Sequence, residues 1–346
     1  MRRESIFVSI AAFCDPYLQF TIESAFRQAQ NPESLVLGVV DQNTESLWPW
    51  LARQPFSDQV RYLHIHPVHS RGVCWARHLA QTLFDGESYF LQIDSHTWFA
   101  LRWDEILRTH IEVLRKLGEK PILSIYPPGF EFDEAGKPFK KISLSERVAY
   151  FRVKPEQSLT AEDPSLTFKV DYKALPTQEN GAPVIRAYYA LGFHVAGGFL
   201  FSLGNMVKEI PYDPGFYFHG EEQGVALRAF THGWEIFHPQ FHLVPLFHLY
   251  KLPKSSSNSL HWRTDLEAQR SVKWPERRRQ ARQRLADLVT GRLSSPYGLG
   301  TARTIQAFVE RSGIDYPHFA LEPCKVDLTS VELDDRQTEV FEGIEK

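Results

Sequence analysis

The stretch that most constrains this chain is Ser88–Phe99, SYFLQIDSHTWF. Tyr89 to Ile93 is a short, near-continuous apolar run, as expected of a strand buried on both faces of a parallel α/β sheet. It leads directly into Asp94, Ser95 and His96, and ligands of such sheets gather beyond the carboxyl ends of the strands. A carboxylate and an imidazole placed there converge on one ion if the backbone turns. Oxygen plus imidazole nitrogen suits Mn²⁺ or a similar divalent ion better than Mg²⁺, which prefers oxygen alone. The tripeptide also reads as an Asp-Ser turn with a solvated histidine, so its neighbours in the fold have to decide.

Upstream, Ile6–Phe13 is a first buried strand, followed by a helix over Tyr17–Gln30 with Leu18, Ile22 and Ala25 at helical spacing. Leu35–Val40 is a second buried strand, closed by Asp41-Gln42-Asn43, and Val60–Ile65 is a third of alternating type. Ser70 and Gly72 open a helix with Val73, Ala76, Ala80 and Leu83 on one stripe. The first hundred residues thus spell β-α-β-β-α-β, half of a doubly wound nucleotide-binding sheet. The expected class is α/β, a Rossmann-like, mostly parallel sheet flanked by helices. Neither GxGxxG nor GxxxxGK[ST] is present, which argues against a dinucleotide dehydrogenase and a P-loop NTPase. A bound nucleotide diphosphate would need other neutralising groups, and a metal at Asp94 and His96 would serve.

The 346 residues suffice for one large domain with an appendage. The expected division is a transferase-type unit over 1–262, with a polar, proline-containing insertion at about 127–184, and a helical extension over 263–346. The net charge of −3 indicates no general attraction to nucleic acid or an anionic membrane. The apolar run Ile6–Cys14 lacks a signal-peptide layout and is far shorter than the roughly 20 residues of a membrane span. Cys14, Cys74 and Cys324 are widely spaced, a pattern of reduced thiols in a cytoplasmic compartment. Further on, Ala187–Leu203 is an apolar run broken by Ala196-Gly197-Gly198, a bulge or a place of close ligand approach. Glu221 and Glu222 precede a helix over Gln223–Thr231, where they suit either the helix dipole or sugar hydroxyls. His248 lies near the end of the run Phe241–Tyr250, and the serine-rich Lys251–Leu260 after it is suited to be a lid or a plain linker. The acidic last twenty residues are expected to fray.

Three motifs in this order, Asp94-Ser95-His96, Gly-Glu-Glu at 220–222 and His248, resemble a GT-A glycosyltransferase. The segments IFVSIAAF, SRGVCWARHLAQ, YFLQIDSHTWF, VAGGFLFSL, PYDPGFYFHGEEQGVALRAFTHGWEIFHP, FHLYK and YGLGTARTIQAFVERSGIDYP are similar, more narrowly, to the polypeptide α-N-acetylglucosaminyltransferases, the family that includes the enzyme modifying hydroxyproline on Skp1. The polypeptide N-acetylgalactosaminyltransferases are similar more remotely. The resemblance implies that Asp94, His96 and His248 bind Mn²⁺, which bridges the diphosphate of a UDP-sugar. It implies a uracil-binding acid at Asp41 and ribose or phosphate contacts from Arg71 and Arg77. Ser9, Ala11, Ser95, Gly197, Gly198 and Lys251 fall on the donor side, and Glu221 and Glu222 around the donor sugar, as anchor or base. Tyr250 and Lys251 stand where the family has Trp and Arg, and Lys meets phosphate with a different geometry.

The implied reaction moves GlcNAc from UDP-GlcNAc to a hydroxyl of a polypeptide or small molecule, with retention. Residues alone leave retention and inversion open, since inversion needs only a carboxylate base across the sugar ring. UDP-GalNAc or UDP-glucose as donor, or a non-catalytic carbohydrate-binding module, are the rival readings. A zinc hydrolase is disfavoured because no HExxH-like ligand set occurs.

Overall fold

The computed structural model describes residues 4–141, 147–176, 185–250 and 260–343. Its centre is a nine-stranded sheet, into which the apolar runs near the N-terminus fold as β1 (Ile6–Phe13), β2 (Leu35–Gln42), β3 (Val60–His64) and β4 (Tyr89–Asp94). β1 lies between β2 and β4 and is parallel to both, and β3 pairs parallel with the outer side of β2. The chain therefore winds from β1 outward to β2 and β3, then returns to the other side of β1. That reversal makes the crevice beyond β1 and β4 a topological switch point, where open α/β sheets bind ligands. Every residue of β2 is buried, as a strand covered on both faces requires.

Beyond β4 come Phe199–Leu203, Pro121–Ser124, Glu235–Pro239, Arg186–Leu191 and Leu328–Glu332. Phe199–Leu203 runs antiparallel to β4 and to Pro121–Ser124, and Arg186–Leu191 runs antiparallel to both its neighbours. The run expected as one element over Ala187–Leu203 is thus two strands that occupy separate places in the sheet. In the insertion, the described residues form two antiparallel pairs, Phe130–Phe132 with Pro138–Lys140 and Arg147–Val153 with Phe168–Ala174. Phe151 anchors the second pair to the core, edge-on to His194 and His238.

The described C-terminal residues, up to 343, do not fray. Leu328–Glu332 closes the far edge of the main sheet, and the helix Asp335–Glu342 begins with a capping box at Asp334. Its Val340 and Phe341 are buried, Phe341 against His110 of the helix Trp103–Leu114. Local composition suggested a solvated tail, but the partner strand lies about 140 residues upstream and leaves no local signal.

Candidate active site

The turn after β4 is fixed from beneath by the helix α1 (Leu18–Gln28). The Thr21 hydroxyl meets the carbonyls of Ser95 and Thr97 at 2.9 and 3.0 Å, and Ser24 Oγ accepts the Phe99 N–H. Thr97–Phe99 then pairs antiparallel with Leu246–His248, so that His248 stands opposite Thr97. This two-stranded ribbon brings a residue some 150 positions away onto the end of β4. The Asp94, His96 and His248 ligand atoms all lie within 4.8 Å of one another. His248 Nε2 is 3.1 Å from Asp94 Oδ2, and the two imidazole centroids are 4.5 Å apart.

The donor set fits a divalent ion of the Mn²⁺ type, one carboxylate oxygen and two imidazoles. Two further observations agree. His96 Nδ1 lies 2.7 Å from Asp15 Oδ2, which leaves Nε2 as the ligand nitrogen in the carboxylate–histidine–metal arrangement. A Cβ on Gly198 would sit 2.8 Å from Asp94 Oδ2, so only glycine leaves the carboxylate its room. Burial alone would raise Asp94, but the His248 hydrogen bond and the charges of Arg77, His248 and His96 outweigh it. The carboxylate is held well below its usual range and stays ionised.

Behind the three ligands lies a buried polar cluster. Arg77, from the helix Val73–Gln81, reaches Asp94 Oδ1 at 2.8 Å, Glu221 Oε1 at 2.7 Å and the Tyr212 hydroxyl at 3.0 Å. Glu221 and Glu222 do not precede the helix, as expected, but form its first turn, Glu221–Thr231. Consecutive helical positions diverge, and the two acids have different surroundings. Glu221 takes Arg77 on one oxygen and the Cys74 thiol, at 2.6 Å, on the other. Burial pushes it up to about 7 against the pull of Arg77. Glu222 accepts the Gly197 N–H at 2.6 Å and the Tyr126 hydroxyl at 3.0 Å, with His194 at 3.4 Å. Burial would raise Glu222 too, but His194 and these donors outweigh it and lower it.

A cavity of about 400 Å³ opens over this cluster, lined among others by Ala11, Arg77, Asp94, His96, Gly197, Gly198, Glu221, Glu222 and His248. Several expected residues are elsewhere. Asp41 is fully buried and spent within the protein. Its oxygens accept the Asn43 backbone and side-chain N–H groups, the Leu47 N–H and the Tyr62 hydroxyl. Side chains alternate along a strand, so Asp41 points away from the face that Gln42 presents to the cavity. Arg71 is exposed over Trp75, and Ser9 is buried mid-strand two residues short of Ala11. Ser95 is buried and donates to Asp15 Oδ2 at 2.8 Å; none of these four lines the cavity. Lys251 and most of the 251–260 segment lie outside the described residues.

Sequence reasoning missed Asp15, Gln42, Tyr126 and Cys74. Asp15 had a signal, a carboxylate directly after β1, but its histidine partner is 81 residues away.

Among solved structures, the fold matches a crystal structure of GalNAc-T7 with UDP, GalNAc and Mn²⁺ at a TM-score of 0.55 and 17% identity, over 93% of this chain and 60% of that one. This chain thus spans about three fifths of that neighbour's length. A S. aureus TarS structure in complex with UDP-GlcNAc gives 0.42 and 12% identity, over 77% and 64%. No curated protein matches the sequence. The architecture is the GT-A glycosyltransferase fold. The sequence matches the family model described as Glycosyltransferase (GlcNAc) over residues 5–57 and 50–318, nearly its whole length, and it is to this family of glycosyltransferases that the chain belongs.

Proposed function

We propose that this protein transfers N-acetylglucosamine from UDP-GlcNAc to a hydroxyl of a polypeptide, with retention of configuration, in the manner of the Skp1-modifying enzymes. The observation that carries the reading is the convergence of Asp94, His96 and His248 at the switch point, beside the Gly197-Gly198 turn. The family's description supports the sugar. GalNAc-T7, whose structure holds UDP, GalNAc and Mn²⁺, supports a metal-dependent UDP-sugar site on this fold. Asp94, His96 and His248 would hold Mn²⁺ rather than Mg²⁺. When bound, the ion supplies charge neutralisation on the diphosphate, where negative charge develops as the sugar departs.

The remaining residues divide the work. Glu221 has both oxygens engaged and orders Arg77 against Asp94. Glu222 is the more exposed acid, with its side chain at 25% against 8%, and is suited to accept the donor sugar's hydroxyls. Tyr126 donates to it, since burial and the nearby carboxylate keep the phenol protonated. Glu222 is already engaged by the Gly197 N–H and the Tyr126 hydroxyl, which suits a sugar anchor better than a free base and so supports retention over an inverting mechanism through it. Three free thiols support a cytoplasmic location.

The test is titration with Mn²⁺ and UDP by calorimetry, followed by a donor panel of UDP-GlcNAc, UDP-GalNAc and UDP-glucose read by mass. UDP binding requires Mn²⁺, His248→Ala weakens both ligands at least about tenfold, and UDP-GlcNAc is consumed fastest. Metal-independent UDP binding of unchanged affinity in the His248→Ala protein refutes the reading.

A further inference from the structure

The helix Trp274–Val289, WPERRRQARQRLADLV, carries Arg277, Arg278, Arg279, Arg282 and Arg284 in little more than two turns. Its buried face includes Ala281, Leu285 and Leu288, and Leu285 lies against Gly220, where a Cβ would come within 2.9 Å. The helix is thereby fixed behind the first turn that holds Glu221 and Glu222. Three of the arginines already have acids: Arg284 has Asp213 at 2.8 Å, Arg282 has Asp163 at 2.6 Å and Arg279 has Glu276 at 2.7 Å. Among the described residues, no carboxylate pairs with Arg277 or Arg278. The same holds for Arg71, stacked over Trp75, and for Lys273, whose ammonium donates to the Glu267 and Ala268 carbonyls. Burial, and after it the charges of Arg270 and Arg71, lower Arg277 against the pull of Tyr217 and Glu267, so cations crowd this corner. Unpaired like charges held together repel, and an anion brought among them relieves that cost.

The cations border a groove of about 340 Å³, in which Arg278, Arg279 and Arg282 stand with Trp274 and Pro275 against one lining acid, Glu162. A row of rings joins this groove to the active-site cavity. Phe218, 53% exposed, and Trp262 both line the cavity, and their ring centroids are 6.3 Å apart. Trp262 lies 5.9 Å from Trp274, which lines the groove. The two steps match about four residues of extended chain. A polypeptide that presents a hydroxyl at the cavity can therefore cross Phe218 and Trp262 and reach the arginines without a turn. Guanidinium clusters suit carboxylates, which they bind with paired, charge-assisted hydrogen bonds. A long polyanion such as nucleic acid would feel the whole chain's net charge of −3, whereas a short acidic run feels only the nearby cations.

We propose that the Trp274–Val289 helix is a docking surface for the polypeptide acceptor, and that it selects acceptors with a run of Asp or Glu a few residues from the modified hydroxyl. Arg277 and Arg278 meet the carboxylates, and Phe218, Trp262 and Trp274 carry the intervening chain. The proposal rests on the reading of a polypeptide acceptor and names its class.

Fluorescence anisotropy with labelled serine peptides of one frame, flanked by glutamates or by glutamines, tests it without any donor present. The wild type binds the glutamate peptide at least about tenfold more tightly at low salt, and most of that margin is lost at about 1 M salt. In Arg277→Gln/Arg278→Gln the two affinities come within about threefold, while Arg277→Lys/Arg278→Lys, which keeps both charges, holds a wider margin. Equal wild-type affinities for the two peptides overturn the proposal without recourse to any variant. A glutamine variant that keeps the wild-type margin overturns it as well, and so does an oligothymidylate of the same charge that outcompetes the glutamate peptide. Sugar transfer from UDP-GlcNAc to the same peptides is read separately by mass. Glutamate-selective binding with no transfer to either peptide upholds the docking surface and counts against the transferase reading instead.

Discussion

Asp15 offers the sharpest test of the proposed metal site because it would act on a bound ion only through another residue. Its Oδ2 lies 2.7 Å from His96 Nδ1 and 2.8 Å from Ser95 Oγ, while Oδ1 accepts the Tyr17 N–H at 2.9 Å. Asp15→Asn keeps the shape and the Tyr17 bond but turns an acceptor into an N–H donor facing His96. Nδ1 must then accept, the ring proton moves to Nε2, and the nitrogen meant for the ion is blocked. The logic is that of the wrong tautomer produced when a triad aspartate becomes asparagine. Loss of such an outer carboxylate costs about 10- to 100-fold in metal affinity, or about 1.4 to 2.7 kcal/mol. We expect Mn²⁺ affinity, measured by calorimetry or by electron paramagnetic resonance of the free ion, to fall by this factor with little change in melting temperature. In a His96→Ala background the same substitution costs almost nothing, since the two act as one unit. An Asp15→Asn protein that binds Mn²⁺ within about twofold of wild type refutes the reasoning.

Two further predictions concern the scaffold. Asp41→Ala strips the acceptor from four hydrogen bonds inside the protein and costs about 2 to 4 kcal/mol of stability by urea titration. The folded fraction keeps its UDP affinity; lost affinity at unchanged stability would restore Asp41 to the donor site. Stability also depends on pH through core histidines held neutral. Burial lowers His110 and His238 to about 4 each, and His110 satisfies both ring nitrogens as a neutral ring, against Tyr189 and the Leu243 carbonyl. Between pH 6.5 and 4 the unfolded chain binds more protons, so stability is full above 6.5 and is lost as pH falls toward 4. Each histidine is worth about 3 kcal/mol over that window. His110→Gln should flatten the urea midpoint's dependence on pH, and an unchanged slope would contradict the assignment.

The β-α-β-β-α-β order and the position of Asp94 and His96 at the end of β4 could be read from the chain alone. Apolar runs, helical spacing and turn residues act over a few positions, so they are legible wherever they occur. The same locality explains the errors. Nothing near Asp41 and Gln42 reveals which of two adjacent side chains a helix across the sheet will leave facing the crevice. Glu221 and Glu222 sit side by side in the sequence yet part by the angle of one helical step, one toward Arg77 and the other toward Gly197.

What the amino-acid order determined is therefore the list of elements and the chemical types that end them. What tertiary structure decided is which of those ends meet. His248 reaches Asp94 through a three-residue antiparallel pairing, Asp15 reaches His96 across 81 residues, and Leu328–Glu332 finds the sheet's far edge. The two strand pairings depend on backbone hydrogen bonds that any side chain tolerates, and the Asp15–His96 bond on two side chains that the fold alone brings together, so each contact becomes specific only once the whole sheet has closed.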